Sequence, residues 1–86
     1  MILQEIIQRL DLLSSLSDDI HEGVYVYNNL YQFDLTFKEI TKLLDEDPSL
    51  RLRLKLVDAT AYAYLDHAEV LNSSFAKWPK DLWGHR

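Results

Sequence analysis

The stretch that decides the fold runs from Asp47 to Phe75 and reads DPSLRLRLKLVDATAYAYLDHAEVLNSSF. Wound as an α-helix, it sets Leu50, Leu54, Val57, Ala61, Tyr64, Leu65, Ala68, Leu71 and Phe75 on one broad face, at the mixed spacing of three and four that a helix requires. Leu52, Leu56, Ala59, Ala63 and Val70 make a second stripe. Only a wedge of Arg51, Lys55, Asp58, Tyr62, Asp66 and Glu69 is left for water, so a helix here needs cover on two sides. Working outward, everything else in the chain is expected to pack around it.

A strand is the rival reading. Leu50-Arg51-Leu52-Arg53-Leu54-Lys55-Leu56 alternates, and Ala61-Tyr62-Ala63-Tyr64 alternates again, a period that suits a half-buried strand. Leucine, lysine, arginine and alanine are good helix formers, however, and no turn residue separates the two alternating pieces. Asp47 is a fair N-cap, and Pro48 suits the first helical position, where its missing N–H is not needed. The segment is therefore read as one long helix.

Composition agrees. The 86 residues are enough for one domain with a single modest core. A 48% apolar content is that of a folded globular protein, and two Gly and two Pro are too few for a turn-rich β fold. The absence of Cys removes disulfides, a thiolate nucleophile and cysteine-type zinc sites, and fits a cytoplasmic location. The N-terminus meets Glu5 and Arg9 before any apolar signal-peptide core can form, and no apolar run approaches the ~20 residues a membrane span needs. Nine Lys plus Arg against 14 Asp plus Glu leave a net charge of −5, which argues against broad nucleic-acid binding. Asp18, Asp19 and Glu22, then Asp45, Glu46 and Asp47, form acidic knots; Arg51, Arg53 and Lys55 form a basic patch.

Before the long segment, Ile2, Leu3, Ile6, Ile7, Leu10 and Leu13 recur at helical spacing and predict an amphipathic helix from 2 to about 15. Ser17 followed by Asp18 and Asp19 looks like an N-cap, so a second helix is expected from about 18 to 31, burying Ile20, Val24, Tyr27 and Tyr31. One kinked helix over 2–31 is the alternative. Thr36-Phe37-Lys38-Glu39 is a capping box, flanked by Leu35 and Ile40 as a hydrophobic staple, and predicts a short helix through Leu44 that ends before Pro48. Residues 77–86 form an aromatic tail whose Trp78 and Trp83 either dock on the core or capture a second molecule.

Length supplies one further expectation. About 28 residues from Pro48 to Phe75 span ~42 Å as a helix, whereas a compact domain of this size is ~30 Å across. The helix either breaks or overshoots its domain; if it overshoots, its second face needs another copy of the chain, so a homodimer is the expected state.

No chemistry stands out. Asp18, His21 and Glu22 suggest a metal site only until a second ligating element is sought, and His67 and His85 have no supporting partners. The serines occupy junctions where serine caps helices anyway, and Gly23 and Gly84 cannot build a phosphate loop. The expectation is a protein that is not an enzyme and uses no cofactor or metal. Leu35 to Leu44 has the cadence of the first helix of a helix-turn-helix, with Arg51, Arg53 and Lys55 then on the recognition helix. Asp45 and Glu46 stand where that motif takes a glycine and an apolar residue, and Arg51 stands at a buried position of its second helix. The segment Asn72 to Trp83, with Lys77, Pro79 and Trp83, resembles the C-terminal segment of the Hha-type nucleoid modulators, a likeness over about a dozen of the 86 residues. What that resemblance implies is a helical protein that acts by binding another protein, and no functional residue is carried over from it.

The sequence thus predicts an all-α bundle of three to four helices, with one long helix in its C-terminal half. Its expected function is to bind another protein, with a helix-turn-helix-like or nucleoid-associated modulator as the alternative. The surfaces expected to meet the partner are Arg51, Arg53 and Lys55, the tyrosines Tyr25 and Tyr62, and the tryptophans Trp78 and Trp83.

Overall fold

A computed structural model describes residues 2–78. They form α1 (Ile2–His21), α2 (Val26–Glu46), α3 (Ser49–Val57) and α4 (Ala59–Ala76), with no strand among the described residues. The all-α expectation holds, and the element boundaries differ from it in three places.

The first difference is the end of α1, which continues past residue 15 to His21. Leu16 and Ile20 extend the buried face of Ile6, Leu10 and Leu13. Burying each contributes about 1.5–3 kcal/mol, against a few tenths for serine's weaker helix propensity, so burial decides. Ser17 is consequently buried inside α1 rather than capping a second helix. The helix stops one turn later, at Gly23. The Gly23 N–H donates to Ile20 O at 3.1 Å and the Val24 N–H to Asp19 O at 2.9 Å, the paired bonds of a Schellman motif, with Gly23 at φ 81°.

The second difference is that α2 runs unbroken through Phe33-Asp34-Leu35 and the capping box. Leu30, Phe33, Ile40 and Leu44 are buried at spacings of three, four and seven, and Thr36 lies buried among them. A helix start at Thr36 would turn this continuous face away from the core. Glu39, freed from capping, takes Arg9 instead, with Nε to Oε1 at 3.3 Å. That contact pairs residues equally far from the turn, so α1 and α2 form an antiparallel hairpin. Val24, Tyr27 and Tyr31, expected inside, are exposed.

The third difference is that the long rod divides at Asp58. Its backbone is extended, its N–H closes α3 onto Leu54 O at 2.8 Å, and its carboxylate Oδ1 accepts from Ala61 N at 3.1 Å to cap α4. With the break, the 18 residues of α4 span only ~27 Å, so rod length no longer asks for a second copy. Leu50 and Leu54 from α3 and Leu65, Ala68 and Phe75 from α4 enter one core with α1 and α2. Phe75 is its aromatic centre, edge-on to Phe33 at 5.2 Å and to Trp78 at 5.0 Å, with the His21 ring at 6.0 Å. No helix among the described residues is long and apolar enough to cross a membrane.

Candidate functional site

The alternating run of α3 becomes two-faced once it is wound. At about 100° per residue, Leu50 and Leu54 share one side and Leu52 and Leu56 the opposite one. Leu50 and Leu54 are buried, whereas Leu52 is 63%, Leu56 77% and Val57 65% exposed. Fully covering a leucine side chain contributes about 1.5–3 kcal/mol, so this outward pair leaves several kcal/mol of burial unrealised within the chain. The second stripe read from the sequence is thus outside along its whole length, since Ala59, Ala63 and Val70 of α4 are also exposed.

The basic patch shares this helix, but its three members are held differently. Arg53 folds back to the start of α3, with Nη2 at 3.4 Å from Asp47 Oδ2 and 3.3 Å from Ser49 Oγ. Lys55 Nζ lies 5.7 Å from the centre of the Tyr62 ring, within cation–π range, and Tyr62 is half-buried beneath it. Arg51 is exposed and has no ion pair among the described residues. Arg51, Lys55 and Tyr62 therefore sit beside the outward leucines, while Arg53 is engaged by its own chain.

The remaining predicted surface residues lie elsewhere. Tyr25 is 81% exposed and sits at the N-terminus of α2 in a left-handed conformation, φ 42° and ψ 50°, with no capping side-chain bond. Trp78 is half-buried against Phe75, which places it with the core. Trp83 lies outside the described residues. A further stripe, Tyr27, Tyr31 and Leu35, runs exposed along α2 at a spacing of four. Its signal in the sequence is a four-residue step offset from that of Leu30, Phe33 and Ile40, whereas the spacing of Tyr27 and Tyr31 from Ile20 and Val24 predicts burial.

The titratable groups are packing elements. His21 Nδ1–H donates to Ser17 O at 2.7 Å, which fixes its tautomer, and its ring lies against Phe75. Among the described residues no group of three or more His, Asp or Glu is arranged to hold a metal ion. A groove of about 220 Å³ between α1 and α4 is lined by Asp11, Ser14, Asp58, Thr60 and Tyr64. The Tyr64 hydroxyl is buried and completes no hydrogen bond. Burial raises its pKa and the Asp18 charge adds to this, while the nearby Ser17 and Ser14 hydroxyls pull the other way. The result favours the neutral phenol, whose ring also meets that of His67, with centroids 5.5 Å apart. No protein-family model matches the chain, and no curated protein or solved structure matches it either.

Proposed function

We propose that this chain is a small acidic helical interaction module that acts by holding another protein and turns over no substrate. The observation that carries the reading is the outer face of α3, where Leu52 and Leu56 stand in water beside Arg51 and Lys55. Exposed apolar residues grouped on one helix face and rimmed by charge mark a surface that gains by being covered. A photo-reactive residue placed at Leu56 in the full chain, irradiated in the host cell, is expected to give a defined protein adduct. The same residue at Gln4, exposed on α1 and off both apolar stripes, should give none. Adducts of equal yield at both positions, or at neither, remove the reading.

A homodimer is part of the proposal, now on a different basis. The Tyr27, Tyr31 and Leu35 stripe of α2 is apolar and near-neutral, because its nearest acid, Asp34, is paired with Lys38 at 3.0 Å. Two such stripes can meet around a twofold axis without opposing like charges. Tyr31→Arg should shift a dimer to monomer in sedimentation equilibrium.

The second reading, a helix-turn-helix-like or nucleoid-associated modulator, is favoured by the three exposed cations of α3. Against it stand the outward leucines between those cations, the adjacent Asp45 to Asp47, and the net charge of −5. Salt-dependent retention on duplex DNA would favour it.

A further inference from the structure

We propose that the outer face of α3 takes an acidic amphipathic helix from another protein, with Leu52 and Leu56 in the apolar seam and Arg51 and Lys55 meeting carboxylates along its edge. The proposal rests on the reading of the chain as an interaction module and names the partner's chemistry.

The first argument is where the charge lies. Three of the nine cations of an acidic chain fall within the nine residues Ser49–Val57, and no acid falls among them. Solubility alone does not require this, because the rest of the surface already supplies charge. The second argument is placement around the helix. Leu52 and Leu56 are neighbours one turn apart; Arg51 and Lys55 lie together on one flank, and Arg53 on the other. Cations therefore bracket an apolar stripe, and the complementary shape is a helix whose apolar stripe is bracketed by Asp or Glu.

Preorganisation adds a third argument. Lys55 is steered by the Tyr62 ring, 5.7 Å from its ammonium, so the side chain is held in place before a partner arrives. Arg53 is spoken for by Asp47 and Ser49. Arg51 and Lys55 are then the pair that discriminates.

A second copy does not suit this face. An antiparallel α3 pair about a twofold axis would set Arg51 and Lys55 against the same residues of the other copy. The chain's own adjacent acids are also engaged, Asp47 by Ser49 and Arg53, and Asp58 by the Ala61 N–H. With only nine residues, or ~13 Å of helix, the contact falls in the small, transient class of interfaces.

The test uses the full chain and three synthetic helical peptides with the same leucine stripe, their polar faces built from Glu, Gln or Lys. Amide resonances are followed by NMR at low and high salt. The Glu peptide is expected to shift the signals of residues 51–57 and to bind roughly tenfold more tightly than the Gln peptide, the scale of a few exposed ion pairs. The Lys peptide should not bind, and high salt should erase the preference. The double variant Arg51→Glu/Lys55→Glu should reverse the preference toward the Lys peptide. Leu52→Ser/Leu56→Ser should lose all binding with helical circular dichroism unchanged, since none of these side chains supports the core. Equal binding of the Glu and Gln peptides at α3 overturns the acidic partner while leaving the interaction face standing. If no peptide shifts α3 signals, the proposal falls; if the Leu56 photo-adduct is then missing too, the module reading falls with it. An adduct of two copies through Leu56, or stronger retention on duplex DNA than on any peptide, overturns the proposal in favour of that occupant.

Discussion

Between α1 and α2 the chain reverses through Gly23 at φ 81° and Tyr25 at φ 42°, both in left-handed backbone. The joints before α3 and α4 instead use one aspartate each in extended backbone, Asp47 at φ −144° and ψ 90° and Asp58 at φ −149° and ψ 89°. In both aspartate joints the backbone N–H closes the preceding helix, onto Leu43 O and Leu54 O, while the carboxylate accepts an N–H of the next, from Ser49 and Ala61. The first region is strained and is held by backbone bonds and one side-chain donor, the second by side-chain acceptors. The strain at Tyr25, about 1–2 kcal/mol for an L-residue, persists because Asn29 Nδ2 donates to Val24 O at 2.7 Å and fixes the turn from the buried side. The aspartate joints carry no such strain, so α3 is set between two rigid corners, and its outward leucines are presented by ordinary capping chemistry.

The largest effect is expected where the strained turn depends on one buried side chain. Asn29→Ala leaves the Val24 carbonyl without its donor and should destabilise the fold by about 2 kcal/mol, read as a lower urea midpoint at unchanged slope. If Asn29→Ala costs less than loss of a capping aspartate, the contrast between the two regions is wrong. Gly23→Ala comes next, at about 1–1.5 kcal/mol. An added Cβ meets nothing within 4 Å, so the loss is conformational alone. A D-alanine placed there by chemical synthesis, which favours positive φ, should restore the midpoint.

What was legible in the sequence divides along the same line. The helical class and the core of α1 and α4 could be read, because burial periodicity reports directly on which side chains leave water. The joints could not, because a local capping signal means nothing until burial is known. Thr36 to Glu39 has the better capping pattern and lies within α2, since Phe33, Thr36 and Ile40 are all needed in the core. Asp58 has the plainer pattern and is a cap, its N–H closing α3 on Leu54 O and its carboxylate accepting from the Ala61 N–H. Gly23, which lies within the helix expected from about 18 to 31, instead terminates α1. For the candidate site, the second apolar stripe and the basic patch were visible in the sequence, but the stripe was expected to be covered, and its exposure shows only once the rod is broken at Asp58. That Arg53 turns to Asp47 and Lys55 to Tyr62 depends on rotamers that sequence spacing does not encode.

Asp58→Ala tests the capped side of the comparison. Loss of the cap should cost about 1 kcal/mol, and Asp58→Asn, which still accepts from an N–H, much less. The alanine variant also offers the chain an uninterrupted helix-forming run. The expected outcome is that α3 and α4 stay bent, with the radius of gyration near 13.3 Å in small-angle scattering. A rise in that radius with added helical signal would mean that the cap alone, and not the shared core, sets the bend. Tyr25→Gly works in the opposite direction, relieving left-handed strain against glycine's greater backbone entropy, for a net gain of about 0.5 kcal/mol in the urea midpoint analysis.

The smallest effect separates the Asp47 joint from the strained turn by pH. The Asp47 carboxyl is held below its ordinary value of 3.8 chiefly by the hydrogen bond from the Ser49 hydroxyl; desolvation opposes this, and the Ser49 backbone N–H and the Arg53 guanidinium add to the lowering. A carboxyl whose folded pKa lies below its unfolded pKa contributes stability that is fully present above the unfolded value and is lost as pH falls through the folded one. The contribution of Asp47 should therefore be constant at neutral pH and fade below the ordinary carboxylate range, taking the start of α3 with it. Because the carboxylate is half-exposed, the effect is small and is best read as a difference. The stability gap between the natural chain and Asp47→Ala should narrow as pH drops from neutral to strongly acidic, whereas the gap to Gly23→Ala should not change, since φ strain does not titrate. If both gaps narrow together, the capped joint and the strained turn are not governed by separate chemistry.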